Sequence, residues 1–254
     1  MTLRKGEQFD RTDLSIDTAY DTGVIHKDYI AHCLRWTFVC DWLARSDKNY
    51  GEGPRYFNCR VFDAGCGKDL QLYKALCSNK MGKIPHYTGC DINKLEMPTK
   101  FANRKLPYTL LSETDMLSVD RIDAELITSF EVLEHVPFDY CVEVVKHLYN
   151  VSNDNTTFIV STPVFDPQIG MAANHINEMT RETFYEVLTG AGWIVTENYG
   201  TFASKKDYYK NMTQEHRNVF DALHNYYNSH YISTIFAPLY PQFSRNNLWV
   251  CEKG

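Results

Sequence analysis

The chain has 254 residues and a formal charge of −6, from 26 Lys and Arg against 32 Asp and Glu, and 44% of its residues are hydrophobic. This composition is ordinary for a globular domain and excludes disorder over most of the length. The acidic balance argues against non-specific binding to nucleic acid, although it leaves room for a local basic groove.

The sequence carries no signal for a membrane or for secretion. No apolar run approaches the roughly 20 residues needed to cross a bilayer, and the N-terminal stretch MTLRKGEQFDRTD lacks the continuous apolar core of a secretory signal. The eight cysteines include no Cys-x-x-Cys pair. We therefore expect reduced thiols, a cytoplasmic location and no membrane partner.

The predicted elements begin with a polar arm over residues 1–25. Apolar residues at helical spacing predict a helix from Asp28 to Leu43, and a turn-rich linker follows over Ser46–Pro54. Beyond it, strand and helix patterns alternate. The predicted strands are Arg60–Asp63, His86–Cys90, Tyr108–Leu111, Glu125–Phe130, Thr157–Ser161, Trp193–Thr196 and Leu248–Cys251. The predicted helices among them are Asp69–Cys77, Phe138–Leu148, Thr180–Leu188 and Glu215–Tyr227.

This alternation predicts an α/β fold with a doubly wound, mostly parallel sheet. Such sheets bind ligands beyond the carboxyl ends of their strands, where the strand order reverses. The residues that directly follow each predicted strand are therefore the candidates for a functional site.

A glycine turn follows the first predicted strand, in the segment Asp63-Ala64-Gly65-Cys66-Gly67. The two glycines allow a tight turn and a close approach of the backbone to a ligand. The helix that follows offers free N–H groups at its start. A plain strand–helix turn would show the same glycines, so this segment is weak evidence by itself.

Aspartates end or follow the first three strands in order, at Asp63, Asp91 and Asp115. Asp91, 24 residues after Gly67, is placed to bind both hydroxyls of a ribose. Asp115 precedes Met116 and can accept from an adenine amino group while the methionine covers the ring, although an isolated Asp there is more often a helix cap.

The segment lacks the third glycine of a dinucleotide-binding turn, and the acid Asp69 stands in that part of the turn. An acid at that position repels a pyrophosphate but tolerates a sulfonium or an amino-acid ligand. The pattern therefore favours S-adenosylmethionine over a dinucleotide.

Five segments together resemble the class I S-adenosylmethionine-dependent methyltransferases, and among them the ubiquinone-type O-methyltransferases. They are Val61–Asp69, Tyr87–Asp91, Ile127–Val136, Phe158–Pro163 and His175–Val195. The resemblance covers roughly residues 58–197. It implies a three-layer, Rossmann-like seven-stranded sheet whose final antiparallel strand comes from residues 193–251. We expect an N-terminal arm and lid helix over 1–57, and a methyltransferase domain over 58–254 with an acceptor-binding insert around 200–245.

The resemblance also assigns roles by position. Asp63, Gly65 and Gly67 would hold the methionine part of the cofactor, Asp91 the ribose and Asp115 the adenine edge. Phe130 and Glu131 would lie near the sulfonium. The predicted cofactor set is completed by Ala64, Cys66, Ile92 and Met116. Asp69 departs from the family pattern and leaves the loop geometry open.

A polar cluster follows the fourth predicted strand, where Glu131, Glu134 and His135 are spaced i, i+3, i+4. Two carboxylates and an imidazole can ligate a divalent metal. His175 follows the fifth strand and could face the cluster, because the two strands should be neighbours. This four-residue set looks like that of the small-RNA 2′-O-methyltransferases, in which a metal engages the acceptor hydroxyls.

Two other interpretations of the cluster remain open. His135 could act without a metal, as a general base or by positioning the acceptor, with Glu131 beside it as the second catalytic candidate. The cluster could also be purely structural.

Weaker candidates lie outside these motifs. Arg35 could reach the cofactor carboxylate or could be a surface arginine, and Tyr20 and His26 could line the same lid. A group of lysines and tyrosines could contact nucleic acid or could be a solvated loop with its tyrosines packed inward: Lys205, Lys206, Lys210, Tyr208 and Tyr209. We interpret Cys66 as a small buried residue rather than as a nucleophile.

The sequence thus predicts a methyltransferase that uses S-adenosylmethionine, with a divalent metal as a further candidate cofactor. Oxygen is the preferred acceptor atom, on a small molecule or a nucleoside-type compound, because no Asn-Pro-Pro-Tyr-like stretch or Pro-Cys nucleophile is present. A nucleic-acid-modifying enzyme and an inactive cofactor-binding protein are the alternatives. The acceptor and the oligomeric state are left open.

Overall fold

The structure, a computed structural model, describes residues 27–45, 53–78, 84–97 and 106–254. The predicted arm over 1–25, with Tyr20, lies outside the described residues, as do His26 and most of the predicted linker. The division of the chain near residue 57 therefore stays a prediction.

A seven-stranded sheet forms the centre of the described chain. Its strands are β1 (Val61–Ala64), β2 (Tyr87–Cys90), β3 (Tyr108–Leu111), β4 (Leu126–Phe130), β5 (Thr157–Pro163), β6 (Trp193–Phe202) and β7 (Asn246–Lys253). The strand order is β3-β2-β1-β4-β5-β7-β6. The strands from β3 to β5 are parallel, whereas β7 is antiparallel to both β5 and β6. The order reverses between β1 and β4, which is where such sheets bind their ligands.

Helices cover both faces of this sheet. They are α1 (Lys27–Ala44), α2 (Gln71–Ser78), α3 (Phe138–Val151), α4 (Arg181–Gly190), α5 (Lys205–Tyr208), α6 (Gln214–His224) and α7 (Ser229–Phe236). Successive strand residues point to opposite faces: Phe62 joins a core with α3 and α4, and Val61 joins a core with α1 and α2. The predicted three-layer, Rossmann-like α/β fold is confirmed.

Each predicted strand overlaps an observed one, but several predicted bounds are wrong. The strand predicted to end at Thr196 continues as β6 to Phe202, since it pairs with β7 across two register shifts that interrupt its alternation. The helix predicted from Asp69 begins at Gln71, because Leu70 has a φ of 48° and does not fit a helix. The helix predicted to reach Tyr227 ends at His224.

The predicted insert forms a helical unit between β6 and β7. The helices α5, α6 and α7 bury a hydrophobic cluster of their own, centred on Tyr208 and Phe220. The sequence predicts no helix over α7. No helix among the described residues is long and apolar enough to cross a membrane.

Candidate active site

A pocket of about 700 Å³ opens at the carboxyl ends of β1, β4 and β5. The glycine turn after β1 forms one wall, the segment after β4 forms another, and α1 contributes Ala31, His32, Arg35 and Trp36. The predicted site residues that line it are Asp63, Gly65, Cys66, Gly67, Phe130, Glu131, Glu134, His135 and His175. The other predicted cofactor residues, Ala64, Asp91, Ile92, Asp115 and Met116, are absent from the described lining.

Both the backbone conformation and the packing around this turn require glycine. Gly65 and Gly67 have φ angles of 73° and 67°, a region that L-residues seldom adopt. A Cβ on Gly65 would lie 2.4 Å from a side-chain carbon of Val132. Both Gly65 N and Cys66 N donate to the carbonyl of Cys90, which fixes the turn against the end of β2.

Asp63 lies beneath this turn and is 3% exposed. Its carboxylate accepts from the hydroxyls of Tyr87, at 2.7 Å, and Thr128, at 2.8 Å. Burial raises the pKa of the Asp63 carboxyl to about 6, against the opposing effect of the two hydrogen bonds.

Asp91 and Asp115 are both engaged within the chain. One carboxylate oxygen of Asp91 accepts from Gly67 N at 2.9 Å, and the other accepts from the backbone and side-chain nitrogens of Asn93. Asp115 caps the short 3-10 helix Met116–Ser118 by accepting from Leu117 N, as helix-cap aspartates do, and also accepts from the Tyr140 hydroxyl. Their predicted contacts to ribose and adenine stay predictions.

Glu131 is held by donors from three elements. Arg35 of α1 forms an ion pair with it at 3.0 Å, Ser161 of β5 donates at 2.8 Å, and Asn246 of β7 donates at 2.7 Å. Arg35 is itself buried, so its interpretation as a surface arginine is wrong. Glu131 has a φ of 54°, which turns the chain sharply at the end of β4.

The surroundings of Glu134 differ from those of Glu131, whose carboxylate is held by three donors. Its side chain is fully buried, and neither carboxylate oxygen has a hydrogen-bond partner among the described residues. Burial, and then the nearby Glu131 carboxylate, raise the pKa of Glu134 well above its ordinary value. An unpartnered buried carboxylate is costly and implies a missing ligand or a bound proton.

The two histidines beside Glu134 are both oriented through Nδ1. Nδ1 of His135 lies 3.0 Å from the carbonyl of Asn174, and Nδ1 of His175 forms a short contact with the Glu178 carboxylate. Because a carbonyl and a carboxylate both accept, each Nδ1 carries the proton and each Nε2 is left as an acceptor. Burial lowers the pKa of His135, which favours this neutral form.

These three side chains converge on one point. Ligand atoms of Glu134, His135 and His175 all lie within 4.8 Å of one another, and the two imidazole rings are 4.9 Å apart between centroids. A carboxylate oxygen and two imidazole nitrogens suit a divalent transition metal. Glu131 does not belong to this group of ligand atoms, because its carboxylate faces Arg35 instead.

Among the comparisons with known proteins, the one with solved structures gives matches. No protein-family profile matches the sequence, and the comparison with curated proteins gives no relative. Solved structures match over most of the chain. Magnesium protoporphyrin IX methyltransferase from Synechocystis, with bound S-adenosylhomocysteine, aligns over 90% of this chain and 86% of its own at 12% identity and a TM-score of 0.54.

A methyltransferase from Archaeoglobus fulgidus, described as S-adenosylmethionine-dependent, aligns over 94% of this chain and all of its own, at 15% identity and a TM-score of 0.53. The small RNA methyltransferase HEN1 aligns over 87% of this chain but only 25% of its own, at 17% identity and a TM-score of 0.57. The chain has the fold of the class I S-adenosylmethionine-dependent methyltransferases. Identities this low establish the fold alone.

Within this methyltransferase fold, the remaining predicted residues make ordinary structural contacts. Asp69 lines the pocket and lies 3.9 Å from Lys74. Tyr208 is buried and stacks on Tyr240, which fits the inward-packing interpretation of the lysine–tyrosine segment. The nitrogen of Lys205 lies 4.3 Å from the centre of the Tyr209 ring.

The insert of this methyltransferase fold reaches the pocket only near its ends. Phe202 and Arg245 line the pocket, and no residue between them does. The acceptor-binding role of the insert therefore stays a prediction.

Two functional residues escaped the sequence analysis. Glu178 orients His175 from three residues further along, so the spacing His175-x-x-Glu178 was the signal that could have revealed it. Asn246 holds Glu131 from 115 residues away, and no local pattern indicates such a contact.

Proposed function

We propose that this chain is an S-adenosylmethionine-dependent methyltransferase that methylates a hydroxyl of its acceptor. We further propose that Glu134, His135 and His175 hold a divalent metal ion that assists the transfer. The single observation that carries the metal proposal is the buried carboxylate of Glu134, which has no hydrogen-bond partner among the described residues and lies within 4.8 Å of ring nitrogens of His135 and His175. With a general base at His135 alone, a bound proton would be what stabilises that carboxylate.

The pocket wall fits the proposed cofactor. The turn at Gly65 and Gly67 brings the backbone to the pocket surface, and the Asp63 carboxylate beneath it suits a positively charged amino-acid part. When bound, S-adenosylmethionine supplies an electrophilic methyl group on a sulfonium. Phe130 and Glu131 line the same pocket, and the resemblance predicts the sulfonium near them.

The reaction would be a direct displacement. The carbon–sulfur bond breaks as the carbon–oxygen bond forms, S-adenosylhomocysteine leaves as a neutral thioether, and the hydroxyl proton passes to water or to a nearby base. When bound, a divalent ion lowers the pKa of an acceptor hydroxyl. The chain itself orients the proposed metal ligands. Asn174 and Glu178 fix the two imidazoles through Nδ1, and a hydrogen-bond partner of this kind behind a metal ligand typically raises the metal affinity.

Calorimetric titration with Mn²⁺ tests the metal. We expect one site per wild-type chain, with affinity lowered at least about tenfold in Glu134→Gln and in His135→Ala. His147→Ala is the matched control, because His147 Nε2 donates to the Val119 carbonyl at 2.9 Å and His147 does not line the pocket. Equal, negligible binding by wild type and His135→Ala would reject the metal and leave the general-base role.

Single-turnover assays with labelled cofactor test the activity itself. The acceptor pools are small hydroxylated metabolites and nucleic acids, the second because one structural neighbour is named a small RNA methyltransferase. We expect label in the metabolite pool. Tight binding of S-adenosylhomocysteine without transfer to either pool would instead support a protein that binds the cofactor without turnover.

A further inference from the structure

The segment 166–178 forms the rim of the pocket next to the predicted metal ligands. The Asp166 carbonyl accepts from Ile169 N and Gly170 N, which closes a turn. The Glu178 carboxylate accepts from Ala172 N at 3.0 Å as well as from Nδ1 of His175. One carboxylate thus orders both the rim and a proposed ligand, so the rim is fixed relative to the cluster.

Two large apolar side chains of this rim are about half exposed. Ile169 is 52% exposed and Met171 is 50% exposed, and both line the pocket. Trp36 of α1 and Phe202 of β6 line the same pocket. Exposed apolar side chains gathered at the mouth of a pocket are typical of a ligand-binding surface.

The charges of the pocket do not suit a polyanion. Among the described lining residues, the acids are Asp63, Asp69, Glu131, Glu134, Asp166 and Glu178, and the basic side chains other than histidine are Arg35 and Arg245. Both arginines are already paired, Arg35 with Glu131 at 3.0 Å and Arg245 with Asp207 at 2.7 Å. The acids exceed the arginines by four, so one sulfonium and one divalent ion would still leave no excess positive charge for phosphates.

We propose that the acceptor is an uncharged hydroxyl compound with an apolar body, which packs on Ile169 and Met171 while its hydroxyl lies at the Glu134–His135–His175 cluster. This inference rests on the proposed function and narrows its substrate class. It sets this chain apart from an enzyme that acts on RNA, although the fold aligns with one.

A fluorescence titration with 2,3-dihydroxynaphthalene tests the inference, on protein loaded with S-adenosylhomocysteine and Mg²⁺. We expect saturable binding that changes little between low and high salt. The variant Ile169→Gln/Met171→Gln should bind the probe roughly tenfold more weakly, because it removes about 1.4 kcal/mol of apolar contact. Ile194→Gln is the matched control, since Ile194 is 54% exposed but does not line the pocket.

A short single-stranded RNA with a free 3′-terminal diol is the opposing probe. Tighter binding of this RNA, with affinity falling steeply as salt rises, would overturn the inference. Equal binding of the naphthalene probe by the wild type and the double variant would also overturn the inference. The same holds if the wild type does not bind the probe while it still binds S-adenosylhomocysteine. Failure of the wild-type chain to bind S-adenosylhomocysteine would contradict the proposed function itself, and this inference with it.

Discussion

Three carboxylates of the pocket differ in the partners that surround them. Asp63 is hydrogen-bonded to two hydroxyls, Glu131 is paired with an arginine, and Glu134 has no hydrogen-bond partner among the described residues, although His135 Nε2 lies 4.0 Å away. Hydrogen bonds and an opposite charge both stabilise an ionised carboxylate, whereas burial alone destabilises it. These differences give each residue its own test.

The raised pKa of Asp63 makes stability depend on pH. Its pKa of about 6 in the folded chain exceeds the ordinary value of 3.8, so between these values the folded state binds more protons than the unfolded state. The contribution of Asp63 to the free energy of unfolding therefore falls as pH rises from about 4 to 7, by about 3 kcal/mol at most. Urea unfolding across this range should show wild type losing stability relative to Asp63→Asn. A constant difference between the two would contradict the assignment.

The glycine turn gives a second test at this scale. Gly65 and Gly170 both have positive φ angles, 73° and 77°, but a Cβ on Gly65 meets Val132 whereas one on Gly170 meets no atom within 4 Å. We expect Gly65→Ala to lower the free energy of unfolding by roughly 2–5 kcal/mol, and Gly170→Ala by about 1–2 kcal/mol. Thermal or urea unfolding measures both, and equal losses would show that the contact with Val132 does not matter.

At the scale of elements, the sequence predicted the sheet better than the site. Short apolar segments between helical patterns located all seven strands, because an apolar segment is a local property of the sequence. The carboxyl-terminal end of β6 escaped prediction, since it depends on pairing with β7 more than 40 residues away in the chain. The same limit applies to Glu131: its motif was visible, but its partners come from α1, β5 and β7, and the contact with Arg35 removes it from the group of metal-ligand atoms.

The ion pair between Arg35 and Glu131 ties α1 to the end of β4. Arg35→Met should destabilise the chain, because Glu131 would remain largely buried without its counter-charge. In a double-mutant cycle with Glu131→Gln we expect a coupling energy of about 1 kcal/mol or more. The exposed pair Lys94–Glu96 is the control, and its cycle should give less than about 0.5 kcal/mol. Equal coupling in the two cycles would contradict a structural role for Arg35.

At the scale of the whole molecule, the proposed function makes the stability of the fold depend on bound ligands. Two packed cores cover the sheet faces, and an acidic pocket opens at the point where strand order reverses. Binding of a cation to the folded state alone stabilises it by mass action. The stability of the folded chain should therefore rise if a metal ion binds at the Glu134 carboxylate.

Melting temperatures with and without metal test this directly. In a chelator, Glu134→Gln should melt at or above the wild-type temperature, because it removes an unpartnered buried carboxyl. In millimolar Mn²⁺ the wild type should rise and the variant should not, so that their order reverses. Parallel shifts of both proteins would mean that Mn²⁺ binds elsewhere.

The most direct test of the account is a crystal of the chain with S-adenosylhomocysteine and Mn²⁺, examined for anomalous scattering. We expect S-adenosylhomocysteine at the glycine turn of Gly65 and Gly67, and a single manganese peak within coordination distance of Glu134, His135 Nε2 and His175 Nε2. Bound S-adenosylhomocysteine with no manganese at these three side chains would contradict the metal centre, and an empty glycine turn would contradict the methyltransferase.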